Sequence, residues 1–261
     1  MNRHYPFLQN IHYETDYILY EISCIAKKLN TKVYIAGGLI RDHILKFTNN
    51  DIDLLIDTDT ETFAKEISTR FNGKLKLYPQ FLTAYIKLGK KYNLIKHIDI
   101  ARARTEIYKS YGSFPTVKAA SIKEDLKRRD FTINSMVLDL SYQKSPKILD
   151  FFEGKKDIKN QLIRVLHPNS FLDDPTRIFR AIKFAARYNF KIEKNTEQWL
   201  IDALEKNIFQ FLSKERIEKE LILISKEKNV QICYDILNKY EILKNIPMVD
   251  ELKKYKNNST K

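Results

Sequence analysis

An α+β fold, a small mixed sheet backed by helices and followed by an all-helical segment, is predicted by three features of this sequence. Short apolar strands alternate with helical periods as far as residue 150, a Gly-Gly turn joins the first strand to a helix, and only the helical period continues after Asp150. Residues 13–30 place Tyr17, Ile18, Ile22, Ile25 and Leu29 on one side of a helix. Val33-Tyr34-Ile35-Ala36 reads as a buried strand, Gly37-Gly38 as a turn without side-chain obstruction, and residues 39–46 as the first turns of a helix. Strands follow at 52–56, 84–88 and 96–101, with a helix at 60–71 between the first two. A basic helix-like stretch from Ser121 leads into residues 132–140, and residues 148–152 close a first domain spanning 1–150. Pro168 and Asp173-Asp174-Pro175 mark a boundary and a new helix start, because Asp caps well and Pro fits the first helical position. Residues 151–225 are expected to form one helical domain. Residues 226–261 add a short helical remnant and a polar tail, 253–261, expected to fray.

Composition narrows the function. Forty-six Lys and Arg against thirty-three Asp and Glu leave a formal charge of +13, which suits a polyanion such as nucleic acid. A Lys-, Asn- and Ile-rich composition also follows from an AT-biased genome, so the arginines are the better clue. Two cysteines, Cys24 and Cys233, lie in apolar helical patterns without metal-ligand spacing and read as buried thiols. No apolar run has the length of a membrane span and residues 1–10 contain no signal-like core, so no membrane partner is expected and the expected compartment is the cytoplasm.

The chemistry is carried by Asp51-Ile52-Asp53. Alternate residues of a strand share a face, so Asp51 and Asp53 present two carboxylates to one place. Such a pair calls for cations, and Mg2+ prefers oxygen ligands that it shares with substrate phosphates. The strand, Gly turn and helix start just upstream form an anion cradle, although the spacing matches neither a Walker loop nor a dinucleotide fingerprint. Arg41 can place its guanidinium on a phosphate or on a neighbouring carboxylate. Asp99, in His97-Ile98-Asp99-Ile100, would supply a third carboxylate and a general base, or is a solvated strand residue.

Between Ala101 and Arg129 there are eight Lys or Arg and three acidic residues, interleaved with Tyr108, Tyr111 and Phe114. Tyr111-Gly112-Ser113-Phe114-Pro115 breaks any regular element, so a mobile loop is expected, near an active site or simply on the surface. Arg128 and Arg129 cannot both face one way, so one is expected toward a triphosphate and the other toward structure or RNA. Asn134 follows Asp130 by one helical turn and could bond a ribose or phosphate. Arg177, Arg180 and Lys183 or Phe184 recur at helical spacing, a basic stripe opposite Ile178, Ile182 and Ala185. Capping and surface ion pairs would explain it. So would base selection, since cytosine and adenine both set an amino donor beside a ring-nitrogen acceptor, and one Asp with one Arg complements either.

Together these residues resemble the class II tRNA nucleotidyltransferase and bacterial poly(A) polymerase family, within the polymerase-beta-like nucleotidyltransferases, over residues 30–225. Gly37-Gly38-x-x-Arg41-Asp42 with Asp51-x-Asp53 resembles the metal motif and Arg128-Arg129-Asp130-Phe131-Thr132-Ile133-Asn134 the ribose and triphosphate motif. Asp150-x-x-x-Gly154-x-x-Asp157-Ile158 through Arg164 resembles the hinge, Asp173-Asp174-x-x-Arg177 the amino-acid template and Ser213-x-Glu215-Arg216-Ile217 the neck signature. The resemblance implies a nucleotidyltransferase head followed by an all-α neck, with body and tail truncated. It implies that Asp51 and Asp53 bind Mg2+, that Gly38 and Arg41 meet the triphosphate, and that Asp174 and Arg177 face the base. Asp173 stands where Glu is usual and Lys183 where Arg is common. The implied reaction adds CMP or AMP from CTP or ATP to the 3′ end of tRNA, by a CCA-adding, CC-only, A-only or poly(A) enzyme. A non-catalytic RNA-binding module is the alternative of another class. The short chain is expected to grip tRNA as a homodimer, by its basic surface or with a helper chain.

Overall fold

The structure, a computed structural model, describes residues 11–140 and 147–246. These divide into two compact units. The first runs through Glu106 and takes in Thr116–Arg129 and Ile133–Lys155, and the second comprises Ile107–Pro115, Asp130–Thr132 and the chain from Lys156 onward.

The first unit is built from α1 (Tyr13–Lys28), β1 (Val33–Ala36), α2 (Gly38–Ile44), β2 (Ile52–Ile56), α3 (Thr60–Phe71), β3 (Lys74–Tyr78), β4 (Thr83–Lys87), β5 (His97–Arg102), β6 (Arg104–Ile107), β7 (Thr116–Ala119), α4 (Ile122–Lys127), β8 (Met136–Asp139) and β9 (Ile148–Asp150). Seven strands form one mixed sheet in the order β3-β4-β5-β2-β1-β8-β9, and β6 and β7 form a separate two-stranded sheet. Within the seven-stranded sheet, among the described residues, only β2 and β5 pair in parallel, in a register that sets Asp53 beside Asp99. On these two strands Ile52, Leu54, Ile98 and Ile100 are buried while Asp53 and Asp99 keep access to solvent, as the alternation requires.

Local chemistry sets the helix ends. Asp59 accepts the N–H of Thr62 at 2.7 Å to start α3, and Asn72 in the left-handed conformation ends it. Ser121 and Glu124 make a reciprocal capping box on α4. Helix α1 buries Ile18, Ile22 and Ile25, but Tyr17, expected on the same side, is exposed and meets Phe71 edge-on. Glu14 is tied inward by the N–H groups of Asn93, Leu94 and Ile95.

Helix α5 (Gly154–Lys159) contains the division between units. The second unit continues with β10 (Leu162–Ile163), α6 (Ser170–Asp173), α7 (Thr176–Tyr188), β11 (Lys191–Ile192), α8 (Lys194–Glu205), α9 (Lys214–Ser225) and α10 (Val230–Lys239). Its core gathers Phe131, Phe171, Phe179, Ile182 and Phe209, all fully buried. Asp174 Oδ1 accepts from the Thr176 N–H and hydroxyl, so Asp174 caps α7 from two residues upstream and Pro175 occupies the N-cap.

Several expectations change. Strand β3 was not expected, and a basic stretch read as irregular contains β6 and β7. Residues 132–134 make one 3-10 turn before β8, so no helix carries Asp130 and Asn134 on a common face. Cys233 is buried but Cys24 is only partly so. The tail 253–261 lies outside the described residues. Among the described residues no helix is long and apolar enough to cross a membrane.

Candidate active site

Gly37 shapes the site in the first unit. Its φ of +67° and ψ of −122° turn the chain sharply from β1 into α2, a conformation that side chains disfavour. A Cβ there would also lie 3.4 Å from Nη1 of Arg129. That arginine therefore stands over the bend.

Asp53 and Asp99 are lateral neighbours across β2 and β5. The Asp53 carboxyl is pushed up to about 6, first by loss of surrounding water, then by Asp99 and Asp51, against the opposing pull of Arg129 and His97. Because the residue keeps exposed surface, the desolvation comes from protein massed around the carboxyl and not from closure over it. The Asp99 carboxyl is also raised, by burial first and then by Asp51, while His97 opposes the shift. His97 Nε2 lies 3.3 Å from Asp99 Oδ2 and its ring stacks on Tyr85. His97 was missed in the sequence, although two residues before Asp99 on one strand is the same face.

The expected closure of Asp51, Asp53 and Asp99 on one point is not formed: among the described residues no three His, Cys, Asp or Glu side chains stand close enough to hold a metal by themselves. Asp51 precedes β2, where its N–H is bonded by Asn49 Oδ1 at 2.8 Å, and Asp99 turns to His97. The donor set nonetheless fits Mg2+, which commonly takes one or two carboxylates and completes its shell with water and substrate phosphates.

Arg41 takes the carboxylate alternative. It is buried, bonds Asp42 through Nε and Nη2 at 2.8 Å each, and donates Nη1 to Asn134 Oδ1 at 2.5 Å. Gly38 is close-packed there, since a Cβ on it would lie 3.1 Å from Asn49 Nδ2, whose amide bonds Asp42. Arg41 and Asn134 thus brace the bend.

The premise that Arg128 and Arg129 cannot both face one way does not hold. They end α4 and both reach back to the fully buried Asp125, which stands one helical turn upstream of each. Arg128 bonds Oδ1 at 2.5 Å, with Glu106 at 2.6 Å and the Arg104 carbonyl at 2.9 Å. Arg129 bonds Oδ2 through Nε at 3.2 Å and Nη2 at 3.1 Å, while its Nη1 is the atom beside Gly37. Asp125 was missed because its partners follow it in a motif read for other reasons.

In the second unit the basic stripe is not a solvated face. Arg177 and Lys183 are buried. Arg177 Nη1 donates to Ser170 Oγ at 2.6 Å. Arg180 pairs with Asp130 Oδ2, whose other oxygen accepts the Phe131 N–H at 2.8 Å, so Asp130 is engaged on both sides. Lys183 lies 3.8 Å from Glu220, and burial pulls its ammonium pKa down against that carboxylate. Each cation must meet an acceptor because desolvation of an unpaired charge is costly. Asp174 and Arg177 make no side-chain pair: Oδ1 of Asp174 accepts Arg216 at 2.9 Å, and Oδ2 takes no hydrogen bond among the described residues. In the sequence Arg216 stands out only as a member of Ser213-x-Glu215-Arg216-Ile217.

Comparison with known proteins identifies the family. The family model for the Poly A polymerase head domain matches residues 33–164. The A-adding tRNA nucleotidyltransferase of Aquifex aeolicus is 37% identical over 215 residues, which cover 82% of this chain and 26% of that protein. A solved CCA-adding enzyme in an apo form superposes with a TM-score of 0.82 at 36% identity, covering 90% of this chain and 55% of that one. The Thermotoga maritima CCA-adding enzyme complexed with tRNA gives 0.79 at 34% identity, covering 91% and 53%. The chain thus spans about half the length of these structures and about a quarter of the Aquifex protein. The matched head-domain residues and the shared fold place the chain in the class II tRNA nucleotidyltransferase and bacterial poly(A) polymerase family.

Proposed function

We propose that this chain is a metal-dependent, template-independent nucleotidyltransferase that adds AMP, CMP or both, from ATP or CTP, to the 3′ end of tRNA with release of pyrophosphate. The observation that carries the reading is the parallel register of Asp53 and Asp99 beside the Gly37 bend, under Arg129. Asp51 and Asp53 would hold Mg2+, which when bound neutralises the triphosphate and the charge that develops on displacement. Asp99, its affinity for protons raised, is suited to accept the proton of an attacking 3′ hydroxyl at a carboxylate oxygen. Arg129 Nη1 is aimed to bind phosphate, and Arg128, enclosed by Asp125 and Glu106, holds the segment in place. Oδ2 of Asp174 is the acceptor suited to the exocyclic amino group of cytosine or adenine, with Arg177 as the donor beside it on α7.

Relatives bear A-adding and CCA-adding names, and incubation separates these readings. Transcripts of tRNA ending before CCA, after the first C or after the second are each given a single labelled nucleotide. Extension of only the last transcript by ATP would assign A addition, stepwise extension of all three would assign CCA addition, and long tracts of A would assign poly(A) synthesis. No incorporation on any transcript with Mg2+ present would overturn the proposal in favour of a non-catalytic RNA-binding module. In the cell the reading places the chain in the cytoplasm, and sedimentation with and without tRNA would show whether a homodimer or a helper chain assists.

A further inference from the structure

The second unit displays aromatic surface that nucleotide chemistry does not use. Tyr111 is 44% exposed, Phe114 74% and Phe211 44%. The segment that carries two of them makes close contacts with the rest of the second unit. Gly112 adopts a φ of +64° and approaches so closely that a Cβ on it would lie 2.8 Å from the Phe211 carbonyl oxygen. Its N–H bonds the Leu172 carbonyl at 3.3 Å, its own carbonyl accepts Arg216 Nη1 at 2.5 Å, and Ser113 bonds back to Ser110 at 2.8 Å. Tyr111 meets Phe211 edge-on with centroids 5.6 Å apart. The Arg216 guanidinium lies over the Phe114 ring at 5.4 Å, and its Nη2 bonds Asp174.

One guanidinium therefore joins the aromatic surface to the residue read here as the base acceptor. An aromatic ring backed by a cation on one face leaves its other face for a second flat partner. Unpaired bases offer such faces, and duplex RNA hides them. The setting is cationic, with Lys109 and Lys214 two residues before Tyr111 and Arg216 in a chain of net charge +13. We propose that Tyr111, Phe114 and Phe211 form a stacking platform for the unpaired 3′-terminal bases of the RNA that is extended, held against Asp174 by Arg216. The proposal rests on the nucleotidyltransferase reading for the identity of that RNA.

The test compares an acceptor-stem hairpin carrying a single-stranded 3′ extension with the same hairpin cut blunt, both titrated against the whole chain by fluorescence anisotropy without nucleotide. Phe114→Ala and Tyr111→Ala should each weaken binding of the extended hairpin about tenfold and leave the blunt one unchanged. Phe114→Trp, which keeps a stacking face, should retain affinity, and Phe114→Leu should not. Both residues are exposed, so the thermal transition should not move. Equal losses for both hairpins, no loss for either, or a Trp variant as weak as the Ala variant would overturn the platform. So would loss of self-association in Phe114→Ala with RNA affinity intact, which would assign the surface to a protein interface. Binding is read without turnover, so extension-specific losses in a chain that incorporates no nucleotide would support the platform while sinking the transferase. Incorporation by Phe114→Ala with unchanged affinity for the extended hairpin would sink the platform alone.

Discussion

Replacing Asp53 by Asn should make the metal-free protein more stable while abolishing nucleotide addition. The carboxyl moves from an ordinary 3.8 to about 6 in the folded chain, so between those values the native state binds more protons than the unfolded state. Stability therefore falls as pH rises through this window, and the penalty is complete above it. At 1.36 kcal/mol per pKa unit the gap corresponds to roughly 3 kcal/mol. Because the side chain is exposed, solvent screening reduces that to about 1 kcal/mol. Asparagine keeps the shape and cannot ionise, so it should raise the midpoint of thermal unfolding by about 2–4 °C at pH ~7 in chelator. The gain should shrink severalfold by pH ~4, where the native carboxyl is already protonated. Millimolar Mg2+ should recover the same stability in the parent and little in the variant, because a cation relieves the same repulsion. A destabilised variant, a gain that is the same at both pH values, or undiminished incorporation would refute the reasoning.

Asp125→Asn should lower stability by about 3 kcal/mol in urea unfolding, since two half-buried arginines lose the carboxylate they share, and should raise the nucleotide KM by releasing Arg129. Gly37→Ala should cost about 1–3 kcal/mol from its left-handed φ and reduce activity further by displacing Arg129, as incorporation assays on folded protein would show. Arg177→Ala should blur base choice, so unchanged preference for ATP and CTP over UTP would count against α7 as the base reader. Cys233, buried and with its thiol pushed up to about 11, should resist alkylation in the native state at neutral pH, while the partly exposed Cys24 is labelled, as mass spectrometry of digests would reveal.

The acidic half of the site was legible because it depends on the shortest periodicity in proteins. Asp51-Ile52-Asp53 and His97-Ile98-Asp99-Ile100 declare by alternation alone which residues leave the core, and the register of β2 with β5 then sets Asp53 beside Asp99. Strands β1, β2, β4 and β5 were readable from their apolar and alternating residues. Strand β3 was overlooked although Lys74-Leu75-Lys76-Leu77 alternates, because its lysines face outward and only partly buried leucines mark the inner side. Residues 132–140 hide a change from one 3-10 turn to a strand, because Thr132, Asn134 and Ser135 are buried along with their apolar neighbours and so do not mark an outward face.

The basic half was misread because local spacing cannot show where a cation finds its counter-ion. Arg180 is answered by Asp130 and Arg128 by Glu106, partners 50 and 22 residues away. Spacing at three and four residues on α7 is that of a solvated stripe, yet Arg180 and Lys183 are met by the distant acids Asp130 and Glu220, which makes their desolvation tolerable. The same logic separates the two arginines of one motif. Arg128 divides its donors between two carboxylates and a carbonyl, whereas Arg129 spends two nitrogens on Asp125 and keeps the third beside Gly37. An arginine anchored at one edge and open at the other is held ready for an anion with little side-chain entropy left to lose. A lysine at position 129 could supply the charge but not both the anchor and the open edge, so Arg129→Lys should fold as the parent does and lose nucleotide affinity.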